Sequence, residues 1–486
     1  MSPLFVFLTT LNTANLVYLF LLNTTYLLIS LLSFRALRKY SRRLKSFSVD
    51  QLLGTIGEAP PITVVVPCYN EEETCVESIR SLLNLHYPDF EVMVVNDGSK
   101  DQTLEQLIEA YELEPTPRMP LSDLPTAQVK GLYKSQSVAN LWVVDKENGG
   151  KADALNCGIN FCQSPLFSAI DADSLLEQDA LVRVVRPFLE NANTVASGGI
   201  VRIANGCEVE NGMVRKVRLP KSLVARFQVL EYLRAFLAGR MGWSELGGTF
   251  VISGAFGLFR RATVVQMGGY DTGTVGEDME LIVRLHRYCL EAKQPYEIAY
   301  VPDPVAWTQC PEDLKTLGNQ RDRWQRGLME ALFKHRRMFF NPRYGKAGMI
   351  AYPYYFLLEM IGPVIELAGY ISVLITLMMG MLSPAFMIAF FLVAFIYGGI
   401  ISIFALALEE LTFRRYQNLS DLLRLIATAL LESFGFRQLL SWWRFRGMMR
   451  RLLMGKTGWG HMTRTGFRQP GGKPSAKSAA GASAAH

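Results

Sequence analysis

The nine residues Pro165-Leu166-Phe167-Ser168-Ala169-Ile170-Asp171-Ala172-Asp173 run from an apolar segment straight into two carboxylates one residue apart. A short apolar run bounded by proline and polar residues reads as a strand buried in a sheet. Two carboxylates at such a strand end can hold a hard divalent cation against a diphosphate. They can also cap the next helix, with Ser174 sharing that task.

The same pattern recurs outward from this stretch. Ile62-Thr-Val-Val-Val-Pro67 reads as a buried strand, followed by a helix from about 72 to 85. Pro88 breaks that helix, Phe90 to Val95 forms the next strand, and another helix begins near Asp101. Pro115, Pro117, Pro120 and Pro125 mark an irregular stretch before Leu141 to Val144 resumes the sheet. Strands alternating with helices predict an α/β domain with a parallel sheet covered on both faces. Ligands of such sheets sit beyond the carboxyl ends of the strands. Asn70, Asp97, Asp145 and Asp171 all fall at or just past predicted strand ends.

Half of the 486 residues are hydrophobic, which suits a soluble domain joined to a few membrane helices. Residues 4 to 33 are apolar and long enough to span a bilayer. A cleaved signal peptide is a poor reading, because the basic run Arg35, Arg38, Lys39, Arg42, Arg43 and Lys45 follows the apolar stretch instead of preceding it. That run places the C-terminal side in the cytoplasm. Two more spans are predicted at about 352–378 and 383–408. Residues 422–443 are apolar but carry Arg424, Glu432 and Arg437. A crossing there would put Arg444, Arg446, Arg450 and Arg451 outside, so a helix in the membrane interface is expected. The tail from Pro470 reads as disordered. The expected division is 1–45 (transmembrane helix and basic flank), 46–345 (catalytic domain), 346–410 (two spans), 411–469 (interfacial helix and loop) and 470–486 (tail).

The net charge of +6 lies in clusters beside apolar segments, which points to anionic headgroups and away from nucleic acid. The seven cysteines form no CxxC pair and read as reduced thiols of the cytoplasm.

Several other residues are candidates for chemistry, each with a plainer alternative. Asp97, in Asn96-Asp97-Gly98, is placed to accept hydrogen bonds from a nucleobase or ribose, or to form an Asp-Gly turn. Glu71 sits at a strand tip where a uracil ring can rest. Gly149-Gly150-Lys151 lacks P-loop spacing. Its glycines still permit close backbone approach, and Lys151 can reach a diphosphate or simply be solvated. Gly276-Glu277-Asp278 opens a helix, where acids are favoured for dipole reasons alone. Asp278 is assigned as the general base that takes the proton of an attacking hydroxyl. Ser253 and Gly254 offer backbone to an acceptor sugar, or pack tightly, and Glu277 joins them in the acceptor set. Gln320, Arg323 and Trp324 share a helical face by their i, i+3, i+4 spacing. Gln320 and Arg323 suit a diphosphate. Trp324 suits the apolar face of an acceptor sugar, or a protein core. The basic, aromatic stretch Lys456 to Gly466, with Trp459, Thr463 and Arg464, reads as a lid or as a solvated surface loop.

In this order, Asp97, Asp171-Ala172-Asp173, Gly276-Glu277-Asp278 and Gln320-x-x-Arg323-Trp324 resemble the family 2 glycosyltransferases with a Rossmann-like GT-A fold. The chain looks most like their membrane-integrated processive branch: cellulose, hyaluronan, chitin-oligosaccharide and poly-N-acetylglucosamine synthases. The resemblance runs from about Pro60 to Phe467. It implies that Asp97 contacts the nucleotide, that Asp171 and Asp173 bind Mg²⁺ or Mn²⁺ with the diphosphate, and that Asp278 is the base. The Gln-x-x-Arg-Trp motif marks the acceptor end. Gly276 stands where the family often has threonine. The stretch Trp459 to Gly466 is loosely similar to the family's gating loop. No cyclic-dinucleotide-binding domain follows the membrane region, so that form of activation is not implied.

The expected protein is therefore an inverting, metal-dependent transferase. It extends a β-linked polysaccharide from a UDP-sugar at the cytoplasmic face of the inner (plasma) membrane and exports it. So few spans do not enclose a channel in one copy, so an export partner or a homo-oligomer is expected. Two rivals remain: a non-processive transferase acting on a lipid acceptor, and an inactive sugar-binding or translocation subunit. The carboxylate set argues against the last, because binding alone needs no base.

Overall fold

Ile62–Cys68 (β1) is an almost uninterrupted run of β-branched residues, and Ile62 to Val66 are buried. Such a segment is stable only inside a sheet covered on both faces. The computed structural model, which describes residues 3–44, 59–210, 212–416 and 418–455, places β1 near the middle of a ten-stranded sheet. The other strands are β2 (Phe90–Asp97), β3 (Leu113–Pro115), β4 (Val129–Ser135), β5 (Leu141–Lys146), β6 (Leu166–Ile170), β7 (Leu175–Leu176), β8 (Thr194–Ile203), β11 (Phe256–Arg260) and β12 (Glu297–Thr308). Their order is β3-β4-β5-β2-β1-β6-β11-β8-β12-β7. A separate hairpin joins β9 (Glu208–Glu210) to β10 (Met213–Lys216).

Strands β5, β2, β1 and β6 are mutually parallel. The sheet as a whole is mixed, which departs from the expected all-parallel arrangement. β11 runs antiparallel to both β6 and β8, and β4 runs antiparallel to β5. The proline-marked stretch supplies β3 and β4, two strands of that edge.

Helices α1 (Pro3–Leu44), α2 (Cys75–Leu83), α3 (Thr103–Tyr111), α4 (Lys151–Phe161), α5 (Ala180–Glu190), α6 (Leu223–Tyr232), α7 (Met241–Leu246), α8 (Arg261–Gln266), α9 (Glu277–Glu291) and α10 (Leu314–Lys334) complete this region. The period-two alternation of the strands feeds two cores. Val64, Val66, Val92 and Val94 pack with α2, α3 and α5 on one face. Val65, Met93 and Val95 pack with α4 and α9 on the other.

Among the described residues, three helices are long and apolar enough to cross a membrane: Pro3–Arg42 within α1, α11 (Ala347–Met378) and α12 (Pro384–Thr412). Polar side chains join them, as expected where hydrophobicity alone gives no preference for helix over lipid. Asn12 Nδ2 donates to Thr376 Oγ1 at 2.9 Å, and Asn23 Nδ2 donates to the Val393 carbonyl at 3.0 Å. The C-terminal half of α1 rests on the sheet-bearing region, where Ser33 donates to the Ala238 carbonyl.

The segment expected as one interfacial helix over 422–443 is two, α13 (Leu419–Leu431) and α14 (Phe436–Met454). Gly435, with φ of 102°, turns the chain between them, a conformation that side chains disfavour. α14 lies along α10. Asp322, almost fully buried, accepts from Arg446 at 3.2 Å and from Arg450 at 3.1 Å. The expected disordered tail and the expected lid residues Trp459, Thr463 and Arg464 lie outside the described residues.

Candidate active site

β6 ends at Ile170, so Asp171 leaves the sheet at its carboxyl edge and Asp173 follows in the turn. The neighbouring cation comes from α4. Gly150 precedes that helix with φ of +89°, and Lys151 is its first residue. Lys151 Nζ lies 2.5 Å from Asp171 Oδ1, 3.2 Å from Glu277 Oε1 and 3.5 Å from the Gly254 carbonyl. Burial by itself would lower the pKa of this ammonium. Asp171 and Glu277 outweigh burial and hold it well above the ordinary lysine value.

α9 brings the remaining acids. Glu277 and Asp278 are its first two residues. Gly254 donates its N–H to Asp278 Oδ2 at 3.0 Å, and Met279 N–H meets Asp278 Oδ1 at 2.8 Å, so both carboxylate oxygens are oriented by backbone. Burial pushes the Glu277 carboxyl above its usual range, with Asp278 adding to the effect and Lys151 opposing it. Asp173 is pushed up in the same way, first by burial and then by Asp171, against Lys151 and Arg323. Arg323, from α10, feels Glu277, Asp171 and Asp278; burial nevertheless draws its pKa below the usual guanidinium value.

Lys151, Glu277, Asp278, Ser253 and Gly254 line one recess, Asp171 joins it through Lys151, and Asp173 and Arg323 lie near enough to feel the charges of this group. A methyl group at Gly254 would stand 3.0 Å from Lys151 Nζ and 3.4 Å from Asp278 Oδ2, so a side chain there would crowd the tip of the lysine. Gln320 and Trp324 flank Arg323 on α10. Trp324 is 44% exposed, with the Arg321 guanidinium 4.1 Å from its ring centre. It is therefore no core tryptophan.

Asp97 and Glu71 are held by partners of their own. Asp97 is buried behind the 147–150 loop and is fully engaged. Its Oδ1 accepts from Lys146 Nζ at 2.6 Å and Gly149 N–H at 3.0 Å; its Oδ2 accepts from Gly150 N–H at 2.8 Å and Asn148 Nδ2 at 3.2 Å. Glu71 Oε2 accepts from Thr74 Oγ1 at 2.9 Å, ahead of α2. The sequence reading missed Lys146, which ends β5 and sits between Asp97 and Asp153 at 2.6 Å from each. A lysine closing an apolar strand beside a strand-end acid was the available signal.

Asp171 and Asp173 offer oxygen ligands only, and Asp171 already draws a cation to 2.5 Å. That donor set fits Mg²⁺ or Mn²⁺, which take their remaining ligands from phosphate and water. Among the described residues, no three His, Cys, Asp or Glu side chains form a ready metal cage.

Residues 63–119 match the family described as Glycosyl transferase family 2, and residues 126–327 match Glycosyltransferase like family 2. The chain is 29% identical over 273 residues to a poly-beta-1,6-N-acetyl-D-glucosamine synthase of Staphylococcus epidermidis, covering 56% of each protein. It is 29% identical over 301 residues to the synthase of the same name from Staphylococcus aureus strain COL, covering 62% of this chain and 60% of that one. The chain therefore spans little more than half the length of these curated relatives. The mannosyltransferase PcManGT from Pyrobaculum calidifontis, solved with GDP-Man and Mn²⁺, superimposes with a TM-score of 0.51 at 18% identity, over 90% of this chain and 100% of that one. That likeness is one of fold.

Proposed function

Because the chain is a family 2 glycosyltransferase, we propose that it is an inverting β-glycosyltransferase that extends a polysaccharide from a UDP-sugar at the cytoplasmic membrane face and passes the product outward. The observation that carries this reading is the pairing of Asp171 and Glu277 with Lys151 beside Asp278, with Asp173 and Arg323 within reach of their charges and exposed Trp324 one residue beyond.

In the proposed reaction the acceptor hydroxyl oxygen attacks the anomeric carbon. The bond from that carbon to the β-phosphate oxygen breaks, UDP departs, and the hydroxyl proton passes to Asp278. A single displacement inverts an α-linked donor to a β-linkage. Gly254 and Met279 N–H groups fix the carboxylate while each oxygen keeps a lone pair for that proton. Lys151 and Arg323 stand where negative charge grows on the departing diphosphate. Mg²⁺ or Mn²⁺ held by Asp171 and Asp173 would supply further positive charge there. Trp324 offers an exposed ring for the acceptor sugar. Glu71, Asp97 and Gln320 belong to the nucleotide side in this reading, Asp97 acting through the loop it holds.

The donor is proposed to be UDP-N-acetylglucosamine, on the names of the staphylococcal relatives. The three apolar helices anchor the protein in the plasma membrane, and a second copy or an export partner completes the exit path. The test is incubation of membranes with labelled UDP-sugars and Mg²⁺ or Mn²⁺, followed by sizing of the product. A long, metal-dependent polymer supports the proposal. A single sugar on a lipid supports the lipid-acceptor reading instead, and no transfer from any donor supports the inactive subunit.

A further inference from the structure

Glu330 lies on α10, one turn beyond Gly327, and its side chain is largely buried. Its Oε2 accepts from the Val275 N–H at 3.0 Å and from Thr274 Oγ1 at 2.9 Å. Thr274 Oγ1 in turn accepts the Gly276 N–H at 3.2 Å. Glu330 thus holds all three residues of the turn that leads into α9, two residues before Asp278. The backbones meet there as well: a methyl group at Gly276 would lie 2.7 Å from Gly327 Cα. The other oxygen, Oε1, pairs with Arg451 Nε of α14 at 2.9 Å. No feature of the family motif includes Glu330 or Arg451.

From this geometry we infer that Glu330 is a positioning residue for the transfer reaction: it sets the 274–276 turn that aims Asp278, and Arg451 ties that turn to α14. The inference rests on the reading of Asp278 as the base. Each link is short, so the placement of α14 reaches the base through one carboxylate. An error near 1 Å in a reacting group lowers a rate about 100-fold, so the turn needs a fixed partner.

The full-length chain in lipid nanodiscs, turning over UDP-N-acetylglucosamine with Mn²⁺, provides the test, read as UDP release against donor concentration. Glu330→Ala should lower kcat about 10- to 100-fold and leave donor KM within about twofold. Glu330→Gln, whose amide oxygen can accept both turn hydrogen bonds, should recover most of kcat. Thr274→Val, which removes one of those bonds, should lower kcat a few-fold at unchanged KM; it also decides the matter if Glu330→Ala does not fold. Arg451→Ala should lower kcat less than Glu330→Ala. Wild-type kcat in both Glu330→Ala and Thr274→Val overturns the inference, as does a Glu330→Gln enzyme as slow as the alanine variant. Asp278→Asn separates the two levels: if it still transfers sugar, the base assignment itself fails. If it is dead while Glu330→Ala runs at full rate, only the positioning role is lost.

Discussion

Asp97 and Lys146 form a buried ion pair of 2.6 Å at the tip of the sheet, and Asp153 closes on the same ammonium from α4. Two strand-end side chains and the first turn of a helix are thereby locked around the loop that delivers Lys151. Burial by itself would lower the pKa of Lys146; Asp153 and Asp97 outweigh it and keep the group charged. Lys146→Met leaves two carboxylates without their cation, and removing one partner of a buried pair typically costs about 3–5 kcal/mol. Unfolding of the purified protein should show a loss of that order. Lys146→Met combined with Asp153→Asn should recover part of it. An unchanged unfolding midpoint would show that the pair contributes nothing.

Lys151 bridges Asp171 and Glu277. Lys151→Met removes a charged hydrogen-bond donor, an interaction of about 1.5–3 kcal/mol. Donor KM should rise about 10- to 100-fold, with a smaller fall in kcat, measured as UDP release. An equal fall in kcat and kcat/KM would mean that Lys151 acts only in the transition state.

Gly276 packs backbone to backbone against Gly327. A side chain at 276 meets main chain, which cannot swing aside. Gly276→Ala should cost about 1–3 kcal/mol as overpacking, and Gly276→Thr more. Thermal unfolding of the two variants checks the order. Glycine at 276 is thus a packing requirement of this chain.

His286 is fully enclosed. The Thr249 carbonyl can only accept, so His286 Nε2 carries the proton at 2.8 Å, and in the neutral ring Nδ1 accepts from the Tyr296 hydroxyl at 2.7 Å. Burial lowers the pKa of the ring to about 4. A free histidine titrates at about 6.5, so below that pH the unfolded chain takes a proton that the folded chain refuses. The stabilisation is complete above the unfolded value and is lost as pH falls towards the folded one, about 2 kcal/mol by pH 5. Stability measured from pH 7 to 4.5 should fall less steeply in His286→Gln than in the parent. Parallel profiles would remove His286 as the cause.

Much of the fold was legible because its signals are local. The runs at 62–67, 90–95, 141–144 and 165–170 are apolar over strand lengths, and each forms a strand within a few residues of the expected bounds. The apolar spans are equally self-evident, since about 20 residues must each tolerate lipid. Strand direction was not legible in the same way. β11 opposes β6 because of which edges meet after a long excursion, and no residue within Phe256–Arg260 encodes that. The break at Gly435 was readable as a glycine, but only the docking of α14 on α10 through Asp322 shows why the chain turns there.

The candidate site divides along the same line. The order of Asp97, Asp171, Asp173, Asp278 and Arg323 along the chain was enough to place acids at strand and helix ends, because apolar runs and helix starts are properties of neighbouring residues. Which partner each acid meets was decided by tertiary structure alone. Asp97 takes Lys146 from 49 positions on, and Asp278 takes the N–H of Gly254 from 24 positions back. Ion pairs and hydrogen bonds depend on distances of about 3 Å, and only the packed sheet brings residues so far apart in sequence to that range.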